Sequence, residues 1–259
     1  MKYKFTIITV CYNIVSTIKR TCESIINQTF QDFEWIVVDG GSTDGTVDIL
    51  KEYTARINIL ISEPDKGIYN AMNKGIKLAT GEYINFMNGG DEFYEKRTLE
   101  KVYNKGLKAD IIYGDEQRIN GDKTYIHKNW EQLTKDILYY RHGISHQSTF
   151  TRTIILQKYN FDENYIISAD FDFFVKMFNK RYKFSKIPII VNNFYIGGIS
   201  SQNKEICSKE YKKIRKKHFT IKYFICNKIE PLLEFLYNSI RYPRYFAGWI
   251  KQKLLKPKK

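Results

Sequence analysis

The stretch FEWIVVDGGSTDGT at residues 33–46 limits the folds open to this chain more than any other, because an apolar run ends there in an aspartate and a glycine- and hydroxyl-rich turn. Residues 35–38 alternate too little for a half-exposed edge and predict a buried central strand with Asp39 at its C-terminal end. Open α/β sheets bind ligands at that end. Gly40 and Gly41 permit a tight turn, Ser42 to Asp44 offer caps, and Thr46 opens an amphipathic helix with Val47, Leu50 and Tyr53 on one side. A carboxylate fixed there can accept hydrogen bonds from an N–H and a hydroxyl, such as a base imide and a ribose. The competing reading is an Asx turn with helix capping. Neither a P-loop nor a GxGxxG opening the first helix is present.

The same alternation continues on both sides. Residues 5–11 form a first strand, followed by a helix with Ile18, Cys22, Ile25 and Ile26 at helical spacing. Residues 57–62 give a third strand, Ile68, Ala71, Met72, Gly75, Ile76 and Ala79 mark the next helix, and residues 82–87 give a fourth strand. Strands alternating with short helices predict an α/β fold around a mostly parallel sheet. Further on, residues 110–114 read as a strand, and a linker with His127, Trp130 and Tyr139 follows. Phe171, Phe174, Val175 and Phe178 mark a helix opening near Asp170, and residues 181–199 add a strand and loop.

Charge divides the chain. Residues 201–259 carry 16 Lys and Arg against 4 Asp and Glu, leaving 26 against 24 in residues 1–200. A nearly neutral domain therefore precedes a basic tail. The front part has no basic stripe or reader module, which argues against a nucleic-acid partner. The first apolar run is too short for a signal peptide, and no stretch approaches the roughly 18 to 20 apolar residues of a membrane span. Cys11, Cys22, Cys207 and Cys226 form no CxxC pair and read as reduced thiols of a cytosolic protein.

Two further loops carry candidate chemistry. Glu63, Pro64, Asp65, Lys66 and Gly67 lie between a strand and a helix that presents Asn70, Asn73 and Lys74, an arrangement suited to a ribose and a diphosphate or, more plainly, to capping. Asn88, Gly89, Gly90, Asp91 and Glu92 follow the fourth strand. One carboxylate there suffices for Mg2+ or Mn2+ when phosphate oxygens and water complete the shell, although NGGD is also an ordinary turn. His142, His146, Asp170 and Asp172 match no compact metal-ligand spacing.

Taken together, TIITVCYN at 6–13, VVDGGSTDGT at 37–46, SEPDKGIYNAMNKGI at 62–76, GEYINFMNGGDEF at 81–93, GISHQSTFTR at 143–152 and FDENYIISADFDFFVKM at 161–177 resemble the family 2 glycosyltransferases of GT-A fold, particularly bacterial enzymes that build surface polysaccharides. The resemblance covers roughly residues 1–195 in order. It implies that Asp39 recognises the base, that Asp65 helps hold the nucleoside, and that Asp91 is the last acidic residue of a DXD-like metal motif; Lys66 and Asn73, from the same loop and helix, are the further donor-binding candidates. The other acidic positions of that motif are Gly89 and Gly90 here. Asp170 matches the catalytic base of an acidic pair whose first member is Ala169. His146 and Gln147, and with less support Arg152, fall where donor phosphate or acceptor could be contacted.

The expectation is an inverting, metal-dependent transferase moving a sugar from a nucleoside-diphosphate sugar, UDP favoured, to a saccharide or lipid-linked saccharide. The alternative, encouraged by Gly89, Gly90 and Ala169, is a noncatalytic nucleotide-sugar or glycan-binding protein that retains the fold. Residues 1–200 form the expected GT-A-like domain, with a nucleotide-binding half at 1–110 and an acceptor half at 111–200. Residues 201–259 form a basic helical extension. Ile221, Phe224, Ile225, Ile229, Leu232, Leu233 and Leu236 near helical spacing equally suit a pair of helices packed on the catalytic domain, whereas the charge and the cluster of Tyr245, Phe246 and Trp249 suit an anionic membrane on the cytoplasmic side.

Overall fold

The computed structural model describes residues 2–141, 144–198 and 203–225. His142, Gly143, Cys226 and the apolar tail positions from Ile229 to Trp249 lie outside the described residues. Met1–Tyr211 and Lys212–Lys259 are two compact units.

β1 (Tyr3–Cys11), β2 (Phe33–Asp39), β3 (Ile59–Ser62) and β4 (Gly81–Phe86) form a parallel block joined by α1 (Val15–Ile26), α2 (Thr46–Lys51) and α3 (Ile68–Leu78). Every residue of β2 is buried, as befits a strand covered on both faces. Cys11 lies in register with Asp39, and Asp39 with Ser62. Their following turns consequently open at one edge of the sheet.

The later strands are β5 (Glu92–Phe93), β6 (Ile111–Asn120), β7 (Lys123–His127), β8 (Thr149–Arg152) and β9 (Phe184–Tyr195). The order is β3-β2-β1-β4-β8-β6-β9-β5, with β7 beside β6. Past β4 the sheet is mixed, since β8 runs antiparallel to β4 and β6, β9 parallel to β6, and β5 antiparallel to β9. The expected parallel sheet is continuous over β1 to β4, and β6 and β9 pair parallel again beyond it. The remaining helices of the first unit are α4 (Thr98–Asn104), α5 (Lys135–Arg141), α6 (Thr153–Tyr159) and α7 (Ala169–Asn179). α8 (Lys204–His218) and α9 (Thr220–Phe224) follow.

The expected linker after residue 114 is a hairpin. β6 runs on to Asn120 and returns as β7, with Asn120 paired to Lys123. Gly114 does not end the strand, because a Cβ there would lie 2.6 Å from the Ile189 carbonyl oxygen, and the β6–β9 register shifts just beyond it. The glycine admits a bulge.

Phe5, Trp35 and Phe150 anchor the core, with Phe5 and Phe150 ring centroids 5.3 Å apart. Removing an aromatic side chain of this kind to Ala costs about 3–5 kcal/mol. Buried Glu34 accepts hydrogen bonds from Thr6 and from the backbone of Thr80 and Gly81, tying the start of β4 to β1 and β2. No helix among the described residues is long and apolar enough to cross a membrane.

Candidate active site

Asp39 ends β2 wholly buried, and its carboxylate is saturated with hydrogen bonds. Oδ2 accepts from the backbone N–H groups of Gly41 (3.0 Å) and Ser42 (2.9 Å) and from the Ser62 hydroxyl (2.7 Å), while Oδ1 accepts from the Ser42 hydroxyl. Burial opposes ionisation, but these donors outweigh it and hold the carboxyl below its ordinary range. The β1–α1 loop is locked to the same turn: the Asn13 N–H donates to Ser42 Oγ at 2.7 Å, and Asn13 Oδ1 accepts from the Thr43 N–H at 2.9 Å.

Asp65 joins this corner from the β3–α3 loop. Its Oδ1 accepts from the Gly67 N–H at 2.7 Å, and its Oδ2 packs so closely on Gly40 that a Cβ there would lie 2.6 Å away. The ring of Tyr12, 61% exposed, flanks the same glycine. The exposed ring and the Asp65 carboxylate thus meet over Gly40. Lys66 is exposed at the rim.

Asp91 follows β4 and is pinned from several sides. Its backbone carbonyl accepts from the Thr21 hydroxyl (2.6 Å), and Arg20, whose guanidinium carbon lies 3.5 Å from the Tyr195 ring centroid, donates to the Gly90 carbonyl. Its Oδ2 accepts from Gln147 Nε2 at 3.1 Å. Burial pushes the carboxyl up to about 6, against the pull of Gln147 and His146. Gly89 and Gly90 have structural reasons to lack carboxylates: a Cβ at Gly89 would fall 2.1 Å from Ile14, and Gly90 has φ +99°.

The residues present suit a divalent cation as minority ligands. Asp91 offers a carboxylate and Asn88 an amide oxygen, Oδ1, that is buried without a hydrogen-bond partner. Among the described residues no group of three His, Cys, Asp or Glu could hold a metal, so phosphate and water would complete such a shell.

Asp170 sits in the first turn of α7, where its Oδ1 accepts from the Phe171 N–H at 2.8 Å and lies 3.1 Å from the Tyr69 hydroxyl. His146 Nδ1 is 2.7 Å from Asp170 Oδ2, and its Nε2 is 3.0 Å from Asn88 Nδ2. Because a carboxylate only accepts, His146 donates its Nδ1–H to Asp170 Oδ2. Oδ1 meets two groups and Oδ2 one. The open lone pair therefore belongs to Oδ2. Asp172, further along α7, is buried toward Tyr165.

Asn73, Arg152 and Glu210 are each held by partners distant in sequence. Asn73 is buried, with Nδ2 on the Phe161 carbonyl (3.0 Å) and Glu163 (2.8 Å) and Oδ1 on the Phe161 N–H (3.0 Å). It ties α3 to the segment leading into α7 instead of facing a donor. Arg152 lies in register with Tyr83 and pairs with Glu82 at 3.2 Å, toward the start of β4, whereas Asn88 and Asp91 follow its far end. Glu210 of α8 accepts the N–H groups of Ile166, Ile167 and Ser168, just ahead of Asp170. The compact unit accordingly extends past the expected boundary at residue 200.

Solved structures with this fold include S. aureus TarS 1–349 in complex with UDP-GlcNAc, with a TM-score of 0.68 at 21% identity, over 82% of this chain and 64% of that one. A second is the mannosyltransferase PcManGT from Pyrobaculum calidifontis in complex with GDP-Man and Mn2+, with a TM-score of 0.63 at 14% identity, over 98% of this chain and 80% of that one. The architecture is the GT-A fold. A PGL/p-HBAD biosynthesis glycosyltransferase of Mycobacterium tuberculosis strain H37Ra is 32% identical over 221 residues, 81% of this chain and 82% of the relative. Residues 6–182 match the family model described as "Glycosyl transferase family 2", and the chain belongs to that family.

Proposed function

We propose that this glycosyltransferase moves a sugar from a nucleoside-diphosphate donor, a UDP-sugar, to a hydroxyl of a saccharide or lipid-linked saccharide in surface-polysaccharide assembly, with inversion at the anomeric carbon. The observation that carries the reading is the link made by two adjacent side chains, His146 to Asp170 and Gln147 to Asp91. It joins a candidate proton acceptor to a candidate diphosphate site.

In the proposed step the acceptor hydroxyl gives its proton to Asp170 Oδ2 as its oxygen forms a bond to the anomeric carbon. The bond from that carbon to the diphosphate oxygen breaks, and its electron pair leaves with the nucleoside diphosphate. Asp39, Asp65 and Tyr12 would seat the nucleoside, with one of the hydroxyls now on Asp39 yielding its place to the base. Mg2+ or Mn2+, held by Asp91 and Asn88 Oδ1, would supply positive charge toward the leaving diphosphate. The donor class is supported by the UDP-GlcNAc and GDP-Man bound in the two structural neighbours. The basic residues after 201 would hold the enzyme at an anionic cytoplasmic membrane face, where lipid-linked acceptors are found.

The test is release of nucleoside diphosphate from a sugar-nucleotide panel, with and without saccharide acceptors, and anomeric analysis of the product. Acceptor-dependent release with inverted product supports the reading. Binding without turnover across the panel would favour a noncatalytic binding protein, and a retained anomer would exclude single displacement.

A further inference from the structure

Two neighbouring side chains beside Asp91 are buried with hydrogen-bonding atoms that nothing among the described residues satisfies. Glu116 is 1% exposed and its Oε2 has no partner, while Asn192 is wholly buried and neither its Oδ1 nor its Nδ2 has one. They stand in register on β6 and β9, so both side chains project from the same face of the sheet. Asn192 is also in register with Phe93, two residues past Asp91, and Gly114, two residues before Glu116, donates its N–H to Ser148 beside Gln147. The pair thus flanks the loop that carries Asp91.

Buried polar atoms without partners are uncommon in native proteins and call for water, an ion or a ligand. Their chemistry selects among these. Arg118 donates to Glu116 Oε1 through both Nε (2.7 Å) and Nη2 (2.6 Å), which neutralises the carboxylate and leaves no demand for a further cation. What is missing is a group that donates to Glu116 Oε2 and Asn192 Oδ1 while accepting from Asn192 Nδ2. A hydroxyl does both, and two hydroxyls on adjacent carbons would meet all three atoms.

Resting on the glycosyl-transfer reading above, we propose that Glu116 and Asn192 form a subsite that reads hydroxyl groups of the sugar carried by the donor nucleotide. The donor sugar is the fitting occupant because the pair lies beside the loop of Asp91, where the diphosphate is proposed to bind. Arg118 stays on Glu116 Oε1 and keeps the carboxylate neutralised, so Oε2 is the atom left for the ring. Sites built around buried polar groups discriminate strongly against sugars that leave those groups unpaired.

Calorimetry on the full chain with Mn2+ tests this, using UDP, GDP, UDP-glucose, UDP-galactose, UDP-N-acetylglucosamine and GDP-mannose. One sugar nucleotide should bind wild type more tightly than its parent nucleotide. In E116Q and N192L that increment should fall at least tenfold, while affinity for the parent nucleotide stays at the wild-type level, which also certifies folding. An unchanged increment in both variants overturns the subsite, and a higher melting temperature in N192L would then identify the pair as holding buried water only. A wild-type protein that binds each sugar nucleotide no better than its parent overturns it too. If wild type binds neither nucleotide nor any sugar nucleotide, the glycosyl-transfer reading fails and takes the subsite with it.

Discussion

His146 Nδ1 lies 2.7 Å from Asp170 Oδ2, and the next residue, Gln147, reaches Asp91 at 3.1 Å. A dipeptide outside regular structure thereby sets the spacing between the two carboxylates assigned to proton removal and to the leaving group. It is itself held by Asn85, whose buried Nδ2 donates to the carbonyls of Gln147 and Thr149. Rotation of the His146 ring would misdirect Asp170, and a misplacement near 1 Å can cost about 10²-fold in rate.

His146→Ala is accordingly expected to lower turnover by roughly 10- to 10²-fold with little change in nucleotide affinity, because the imidazole acts on Asp170 and not on the base or ribose. Steady-state kinetics beside UDP calorimetry provide the check. A lost nucleotide affinity with intact turnover would instead make His146 a donor contact.

Asp170→Asn keeps the size of the side chain and an oxygen for the Phe171 N–H while removing the basic atom. Turnover should fall by about 10²-fold or more with donor affinity held. Wild-type turnover in this variant would remove Asp170 from the chemical step.

Asp39→Ala removes an acceptor of five hydrogen bonds, one of them from the Cys11 thiol, and leaves the Ser42 and Ser62 hydroxyls without their shared partner. Nucleotide affinity and melting temperature should fall together, the latter by an amount in the range of about 1–3 kcal/mol for stranded buried groups. The folded carboxyl is held below its ordinary value of 3.8, so its contribution is present above that pH and fades as pH drops below it. Melting curves of wild type and variant should thus converge in acid. A constant gap down to acid pH would contradict this bracing role.

The corner around Asp39 was legible because its logic is local: strand, glycine turn and helix follow one another, and the register of three parallel strands brings their ends together. The partners of Asn73 and Arg152 carried no local signal, because Glu163 and Glu82 lie 90 and 70 residues away in sequence. The capping of residues 166–168 by Glu210 had no local signal at all. The β6–β7 hairpin did have one, Asn120-Gly121, but Gly114 was read as a stop where the sheet uses it as a bulge.

Residues 226–259 carry 8 Lys and Arg against 2 Glu, with Tyr245, Phe246 and Trp249 among them. Ending the chain at Ile225 keeps Glu210 and its hold on residues 166–168. The shortened protein should sediment less with anionic vesicles than the full chain at low salt, and the difference should shrink as salt rises. Equal sedimentation of the two would defeat membrane association through this segment.

Asp91 separates stability from function. Its carboxyl titrates near 6 in the folded chain against 3.8 for an ordinary aspartate, because burial disfavours the charge. The folded state therefore holds a proton that the unfolded state has released between those values, and stability falls as pH rises through that window. At pH 7 in chelator the buried charge costs on the order of 3 kcal/mol. Asp91→Asn should consequently raise the melting temperature at pH 7 in chelator, with the gain shrinking as pH falls from about 6 toward 4. The same substitution should abolish any Mn2+-dependent gain in nucleotide affinity, since the amide cannot replace the carboxylate's charge. Melting curves across pH, paired with calorimetry with and without Mn2+, decide the matter: a variant less stable than wild type at pH 7 would show that Asp91 braces its loop, and an undiminished Mn2+ effect would move the cation elsewhere.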